Sequence, residues 1–391
     1  MALVEYAVFH PWRTLTVLVV GTLLGLGGFY AYQVTTAFGA VAVEEFDPGL
    51  ARRAIEAAPD PAGSWTEPAF DFDLSDYGLE AELASLAEQA AGVTPDGSFN
   101  AAAWGEPIPD EVFDAYLLVG TDASGFLADT IVLALQPASE GAPIMVSLPR
   151  DLFVWNLCKE GFTRLNTGLG GCSGAASGSE LLAIMVEDYT GIPVDHLARV
   201  NFDGFSQIVD AMDGISVCID RPRRDLKSHL LLSTTGCQRV DGEVALAWVR
   251  SRHPEELVEG EWRPIGGSDF GRQERQQDVL FQLAGRAARF SSPGALTNRL
   301  AAVSRSVRLD SAWSFSEAVG AAWRYRGIQK SDVKRFTIEA TDYRTPNGAA
   351  VLLPAVPFRD QLSQVYDFDC EDSATVASSE GDGCVEPFEY G

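Results

Sequence analysis

Between Ala115 and Ile219 the chain alternates short apolar runs with helical ones, and this alternation restricts the fold more than any other feature. Ala115–Val119 (AYLLV), Thr130–Leu135 and Pro143–Leu148 have the length and aliphatic content of buried strands. Glu180–Tyr189 reads as a helix closed by Gly191 and Pro193. His196–Val200 then reads as a strand, Phe202–Met212 as a helix, and Ile215–Ile219 as a strand after the turn Asp213-Gly214. Strands interleaved with helices bury a sheet beneath helical layers, so an α/β domain is predicted. Asp122, Asp129 and Arg150 fall at or beside strand ends, where open α/β sheets bind ligands.

A second feature bears on chemistry. The formal charge is −26, yet Arg250, Arg252, Arg272 and Arg275 gather between Asp241 and Gln277. The alternation of Ala247, Val249 and Ser251 with Trp248, Arg250 and Arg252 has period two, which predicts a short strand with both arginines on one face. From Arg272 through Leu280 no breaker occurs, so a helix is expected to start there, with Arg272 and Gln276 four apart on one face. Guanidinium groups converging from a strand and a helix start suit a phosphate or pyrophosphate, because each presents a planar fork of donors and keeps its charge. The alternative is that each arginine pairs with one of the many surface carboxylates.

The same charge excludes nucleic acid as a partner, since phosphate backbones are met with basic surfaces. Six cysteines form three sequence-local pairs without a CxxC, namely Cys158 with Cys172, Cys218 with Cys237 and Cys370 with Cys384. Local disulfides and an oxidising compartment are therefore expected. Residues 14–43 carry no charge, which is length enough for a transmembrane helix, assigned here to 14–34. Arg13 before it and Glu44-Glu45 after it orient residues 1–13 to the cytoplasm and the bulk of the chain outside. Cleavage at Ala40-Val41-Ala42 is the alternative. Residues 35–105 read as an acidic extracytoplasmic spacer, 106–366 as the main domain and 367–391 as an acidic tail. Helices are expected at Gly294–Arg305 and Ser314–Arg324, and strands at Phe336–Ala340 and Ala350–Leu353.

Asp122 and Asp129 flank the loop between the first two strands and are candidate Mg2+ ligands, turn capping being the other reading. Arg150, Arg164 and Lys227 are further cations, and His196 and His253 are candidate bases or packed histidines. There is no GxSxG, no Walker A loop and no HExxH, and Gly168–Ser179 reads as a flexible glycine-rich loop.

The collinear motifs LLVGTDASG, ADTIVLA, SLPRD, RLNTGLGG, TGIPVDHLARVNFDGFSQIVDAMDGISVCID, GCQRVDGEVALAWVRSRH and DFGRQERQQ resemble the LytR-CpsA-Psr family of cell-envelope proteins, over roughly Tyr116–Leu280. The resemblance implies a three-layer α/β/α sandwich with a central mixed sheet. It implies an apolar tunnel for a polyprenyl tail and an arginine-rich mouth for its pyrophosphate. It further implies a Mg2+-dependent phosphotransferase, held in the cell membrane by one pass, that moves a glycopolymer from a polyprenyl-pyrophosphate carrier to peptidoglycan. By motif, Asp122 and Asp129 match the metal aspartates, and Arg150, Arg250, Arg252, Arg272 and Gln276 match the pyrophosphate-binding positions. Arg150 and Arg252 join the two aspartates as catalytic candidates, and Arg164 stands where the family often has Lys. Leu127 stands where the family usually has Arg, with Arg275 the nearest candidate to compensate. Two other functions stay open: a catalytically weak polyprenyl-pyrophosphate-binding protein, and a polyprenyl-pyrophosphate pyrophosphatase.

Overall fold

The computed structural model describes residues 41–57, 108–109, 111–122, 125, 127–138, 141–265, 269–287, 302–313, 330–345 and 348–368, with residues 32, 36, 39, 299 and 317. The span expected at 14–34 apart from Tyr32, most of the spacer, most of the two helices expected between 294 and 324, and the Cys370–Cys384 pair lie outside these residues. Among the described residues no helix is long and apolar enough to cross a membrane.

Strand β1 (Ala42–Glu44) and helix α1 (Pro48–Glu56) come first. Strands β2 (Phe113–Thr121), β3 (Ala128–Pro137) and β4 (Ile144–Leu148) follow, then the hairpin β5 (Phe153–Asn156) and β6 (Gly161–Arg164), a 3-10 turn at Leu165–Gly170 and helix α2 (Gly178–Thr190). Next come β7 (His196–Asn201), α3 (Phe202–Ala211), β8 (Ile215–Ile219), β9 (Arg223–Asp225), β10 (Leu230–Leu232), β11 (Gly236–Val240) and α4 (Gly242–Arg250). The chain continues through β12 (Glu255–Val258), β13 (Glu261–Pro264), α5 (Asp269–Ala287), β14 (Val307–Asp310), β15 (Lys334–Thr337), the hairpin β16 (Ala340–Arg344) and β17 (Ala350–Pro354), and α6 (Phe358–Leu362).

Seven strands form one sheet in the order β1-β14-β7-β2-β3-β4-β15. It is mixed: β2 runs parallel to β7 and antiparallel to β3, and β4 runs antiparallel to β3 and parallel to β15. Alternation along β2 sends Ala115, Leu117 and Val119 into a core shared with Leu181, Leu182, Met185 and Val186 of α2. On the other face stand Leu118 of β2 and Val132 of β3. Helices α3 and α4, with β8, β10 and α5, make a second core around Val209, Ile215, Ala245, Val249 and Val279. The expected α/β fold with a central mixed sheet is thus observed, with helices on both faces.

Three expectations are corrected. Residues 42–56, read as spacer, belong to the domain: β1 pairs with β14, and Phe46, Ala51 and Ile55 are buried in the α2-side core. Acidic composition hid this, but Asp47 caps α1 by accepting the Leu50 N–H at 2.7 Å, and Ala51 and Ile55 lie four apart on the buried face. Gly168–Ser179 is not a flexible loop. A Cβ at Gly168 would lie 2.9 Å from Leu182 Cα, Cys158 is bonded to Cys172, and Ser177 with Glu180 forms a capping box on α2. Finally, Ala247–Arg252 is not a strand. Asp241 accepts the Val244 N–H at 3.0 Å and starts a helix whose buried Gly242, Ala245 and Val249 follow a 3.6-residue period. The period-two reading rested on six residues, too few to distinguish the two patterns.

Candidate functional site

The site is assembled from the carboxyl ends of β2 and β4 and from the facing ends of α4 and α5. The β2–β3 register shifts between Gly120 and Thr121, and the turn beyond is closed by Asp122, whose Oδ1 accepts the Gly125 N–H at 2.9 Å. Asp129 leaves that turn on β3, and the Arg150 guanidinium donates to its Oδ1. Arg272, 4% exposed on α5, donates to the Asp129 backbone carbonyl at 3.0 Å. Arg150 is also within 3.4 Å of Asp151 Oδ2. Burial works against its charge, but the Asp151 and Asp129 carboxylates outweigh burial and raise its pKa. Asp151 in turn meets Arg252 at 3.8 Å and Arg164 at 3.6 Å, so one acidic side chain spaces three arginines.

Arg250 is the last residue of α4 and lies exposed with its guanidinium 4.3 Å from the Phe202 ring centroid. The segment after it is held by a carboxylate. Asp225, 1% exposed, accepts the Ser251 hydroxyl at 2.8 Å and the N–H groups of Arg252 at 2.9 Å and His253 at 2.8 Å. It also accepts the N–H groups of Lys227 and Ser228. Burial would raise its pKa, yet these bonds to the charged form reverse the effect and lower it. Arg275 supports the same segment from behind. It donates to the carbonyls of Trp248 and Ser251 and lies 5.3 Å from the Trp248 ring centroid. Burial, then repulsion from Arg223 and Arg272, pull its pKa down to about 10, which leaves it charged at neutral pH.

These groups surround a cavity of about 690 Å³ between the sheet and the α3–α4–α5 layer. Asp129, Arg150, Arg250, Arg252, Arg272 and Gln276 line it at one end. Most of the remaining wall is apolar, with Leu118 and Val132 from the sheet, Ile208 and Met212 from α3, Leu246 from α4 and Leu283 from α5. The arrangement is that of a site for an amphiphile with an anionic head. The size lies within the range of small-molecule pockets, roughly 300–1,000 Å³.

Of the residues singled out from sequence, Asp122, Arg164 and Arg275 do not line the cavity. Asp122 closes the adjacent turn, Arg164 lies on β6 against Asp151, and Arg275 holds the end of α4. His196 is also elsewhere, stacked on Tyr116 at 5.3 Å and 3.4 Å from Asp310. His253 and Lys227 do line the cavity. Sequence reasoning missed Asp151 and Asp225, because an aspartate that organises arginines looks like any other in a chain with 55 acidic residues. Asp122 and Asp129 are hard oxygen donors of the kind Mg2+ takes. Among the described residues no group of three or more His, Cys, Asp or Glu side chains could hold a metal ion, so a cation here would draw further donors from a ligand or water.

Residues 115–364, which include the whole cavity wall, match the LytR_cpsA_psr family. The chain belongs to that family. Among its LytR_cpsA_psr relatives, the probable cell wall biosynthesis protein LcpB of Corynebacterium glutamicum is 32% identical over 179 residues, 46% of this chain and 38% of that protein. The polyisoprenyl-teichoic acid–peptidoglycan teichoic acid transferase TagU of Halalkalibacterium halodurans is 28% identical over 254 residues, 61% of this chain and 73% of that one. The chain thus spans well under half of the first relative and about three quarters of the second. A solved LytR-Csp2A-Psr enzyme from Actinomyces oris shares the fold with a TM-score of 0.52 at 27% identity, covering 65% of this chain and 90% of that one.

Proposed function

We propose that this protein is a phosphotransferase that moves a glycopolymer from a polyprenyl-pyrophosphate carrier to peptidoglycan, outside the cytoplasm and anchored by one N-terminal span. The observation that carries the reading is the cavity itself, apolar over most of its wall and ringed at one end by Arg150, Arg250, Arg252 and Arg272. An isoprenoid tail gains from the apolar wall at about 25 cal/mol per Å² removed from water. A pyrophosphate gains from guanidinium groups held in a partly desolvated setting. The transferase name of the Halalkalibacterium halodurans relative and the cell-wall name of the Corynebacterium glutamicum one support the same reading.

In this reading a hydroxyl of peptidoglycan attacks the phosphorus that carries the glycopolymer. The bond from that phosphorus to the bridging oxygen breaks, and prenyl phosphate leaves with the bonding pair. Arg250 and Arg252 face the developing negative charge, while Arg272 fixes the Asp129 backbone. Asp129 lines the cavity and takes the hydroxyl proton. Asp129, with Asp122 from the adjacent turn, would hold a Mg2+ ion, and the chemistry it would supply is neutralisation of charge on the diphosphate. Most of the catalysis is then positioning and electrostatics.

The test is a transfer assay on the full chain in detergent, with a labelled polyprenyl-pyrophosphate oligosaccharide and peptidoglycan fragments, with and without Mg2+. Metal-dependent label in peptidoglycan is expected. Release of the label to water alone would make the protein a pyrophosphatase, and tight carrier binding without transfer would make it a binder. Leu127 gives the binder reading its one specific support: it is 46% exposed beside Asp129, contributes no charge and does not line the cavity. Leu127→Arg separates the cases, since only an incomplete catalyst gains rate from it.

A further inference from the structure

Among the described residues the exposed large hydrophobic side chains are Tyr32, Val43 (62%) and Leu50 (58%) near the start of the chain and Leu127 (46%), Leu226 (70%) and Leu231 (63%) further on. The last three lie on the β2–β3 turn and the β9–β10 hairpin, close in sequence to residues that line the cavity. Leu127 stands two residues before Asp129, and Leu226 adjoins Lys227, both of which line the cavity. On β10 the run Leu230-Leu231-Leu232 alternates buried, exposed, buried, so Leu231 occupies the outward position where a half-buried strand normally carries a polar residue. It stands opposite Arg224 of β9, and Leu226 opens the turn that joins the two strands. A single exposed leucine needs no explanation. Two on one short hairpin do, with Lys227 and Ser228 of the cavity wall between them in sequence.

Cations stand beside them, while Arg224, opposite Leu231, is paired with Glu255 of β12. Lys227 and Arg250 are exposed, and Arg150 and Arg252 line the same mouth, in a protein of net charge −26. Apolar tips set among cations are the chemistry of an anionic bilayer interface. The leucines enter the boundary between headgroups and acyl chains, and the cations face the lipid phosphates. An acidic protein surface elsewhere is repelled by the same bilayer, so orientation follows from charge as well as from apolar contact.

We propose that the β9–β10 hairpin, through Leu226 of its turn and the outward Leu231 of β10, docks on an anionic phospholipid bilayer and seats the cavity mouth at the membrane surface. The docking surface stands on its own exposure and charge. Its consequence for substrate entry rests on the proposed function, because a carrier whose tail lies in the bilayer then reaches the cavity without passing through water.

The test uses the full chain in nanodiscs of phosphatidylcholine with phosphatidylglycerol, some carrying acyl chains brominated near the headgroup, which quench tryptophan on contact. Leu226→Trp and Leu231→Trp are compared with Asp342→Trp, exposed on the β16–β17 hairpin, which contributes nothing to the cavity wall. Quenching of the two hairpin tryptophans above the background of the unsubstituted chain is expected, with little at position 342 and less in pure phosphatidylcholine. Equal quenching at all three, or none, overturns the docking surface, and quenching that depends on protein density in the disc assigns the leucines to self-association instead. A second measurement follows transfer with Leu226→Ser/Leu231→Ser. The apparent KM for a bilayer-embedded carrier is expected to rise about tenfold, while that for a short-chain, water-soluble carrier stays unchanged. A rise for both carriers makes the leucines structural and overturns the proposal. If the unsubstituted chain turns over neither carrier the transferase reading fails, and the quenching still decides the docking.

Discussion

The arginines of this site divide by what they hold. Arg250 is exposed at the mouth, whereas Arg275 is spent on the carbonyls of Trp248 and Ser251. Arg250→Ala should therefore weaken carrier binding while leaving the unfolding free energy from a urea titration within about 0.5 kcal/mol of the parent. Arg275→Ala should cost roughly 2–3 kcal/mol in the same unfolding titration, because two carbonyls at the end of α4 lose a charged donor. Asp225 has the deepest role, since one carboxylate fixes the backbone of Arg252 and His253. Its pKa is lowered in the folded protein, so its contribution to stability is present above the ordinary aspartate value of about 3.9 and is lost as pH falls through the depressed folded value. Asp310 is lowered too: burial opposes its charge, but His196 and the Leu197 N–H stabilise it more. Unfolding midpoints measured between neutral pH and pH 3 should fall at the acid end, and Asp225→Asn should flatten part of that fall. An unchanged profile in Asp225→Asn would mean that the bonds to this carboxylate do not depend on its charge.

At the scale of elements, the helical layer over the cavity depends on a close approach and a covalent tie. A Cβ at Gly242 would meet Ser206 O at 2.2 Å, so the start of α4 can lie against α3 only without a side chain there. Gly242→Ala should destabilise by about 1–3 kcal/mol through overpacking, read by thermal unfolding. The β8–β11 pair carries Cys218 directly opposite Cys237, bonded across a sequence separation of 19. Loop entropy makes such a bond worth about 3 kcal/mol. Replacing both cysteines with alanine should raise amide exchange in β8, β11 and α4 before it does so in β2 and β3, whose core lies on the far face of the sheet. The elements also explain the limits of reading by pattern. Strands β2 to β4 and helices α2 and α3 were legible because their apolar runs are long and bounded by turn residues. The alternation over Ala247–Arg252 misleads because the decisive features of α4 are contacts, the Asp241 cap and the Gly242 approach to α3.

For the molecule as a whole, the sheet separates the two cores, and the cavity lies between the sheet and the α3–α4–α5 layer. Val132 is 1% exposed, belongs to neither core and lines the cavity. Leu283→Trp should fill part of that space from α5, reduce carrier binding at least severalfold, and leave thermal stability equal or higher. Loss of stability along with binding would show that the wall is too tightly packed to accept the ring. The chain's own order determined the α/β class, the local Cys158–Cys172 and Cys218–Cys237 disulfides, and the family, since hydrophobic period, cysteine spacing and collinear motifs are local properties. It also brought Asp129, Arg150, Arg250, Arg252, Arg272 and Gln276 forward as candidates, along with Asp122, Arg164 and Arg275. Only the tertiary structure decided that these six share one cavity while Asp122, Arg164 and Arg275 stand behind or beside it. Only it decided that residues 42–56 complete the domain, and that Asp225 aims the arginine segment from 27 residues away. The physical reason is that a side chain's direction follows from its backbone and packing partners, and those partners are distant in sequence.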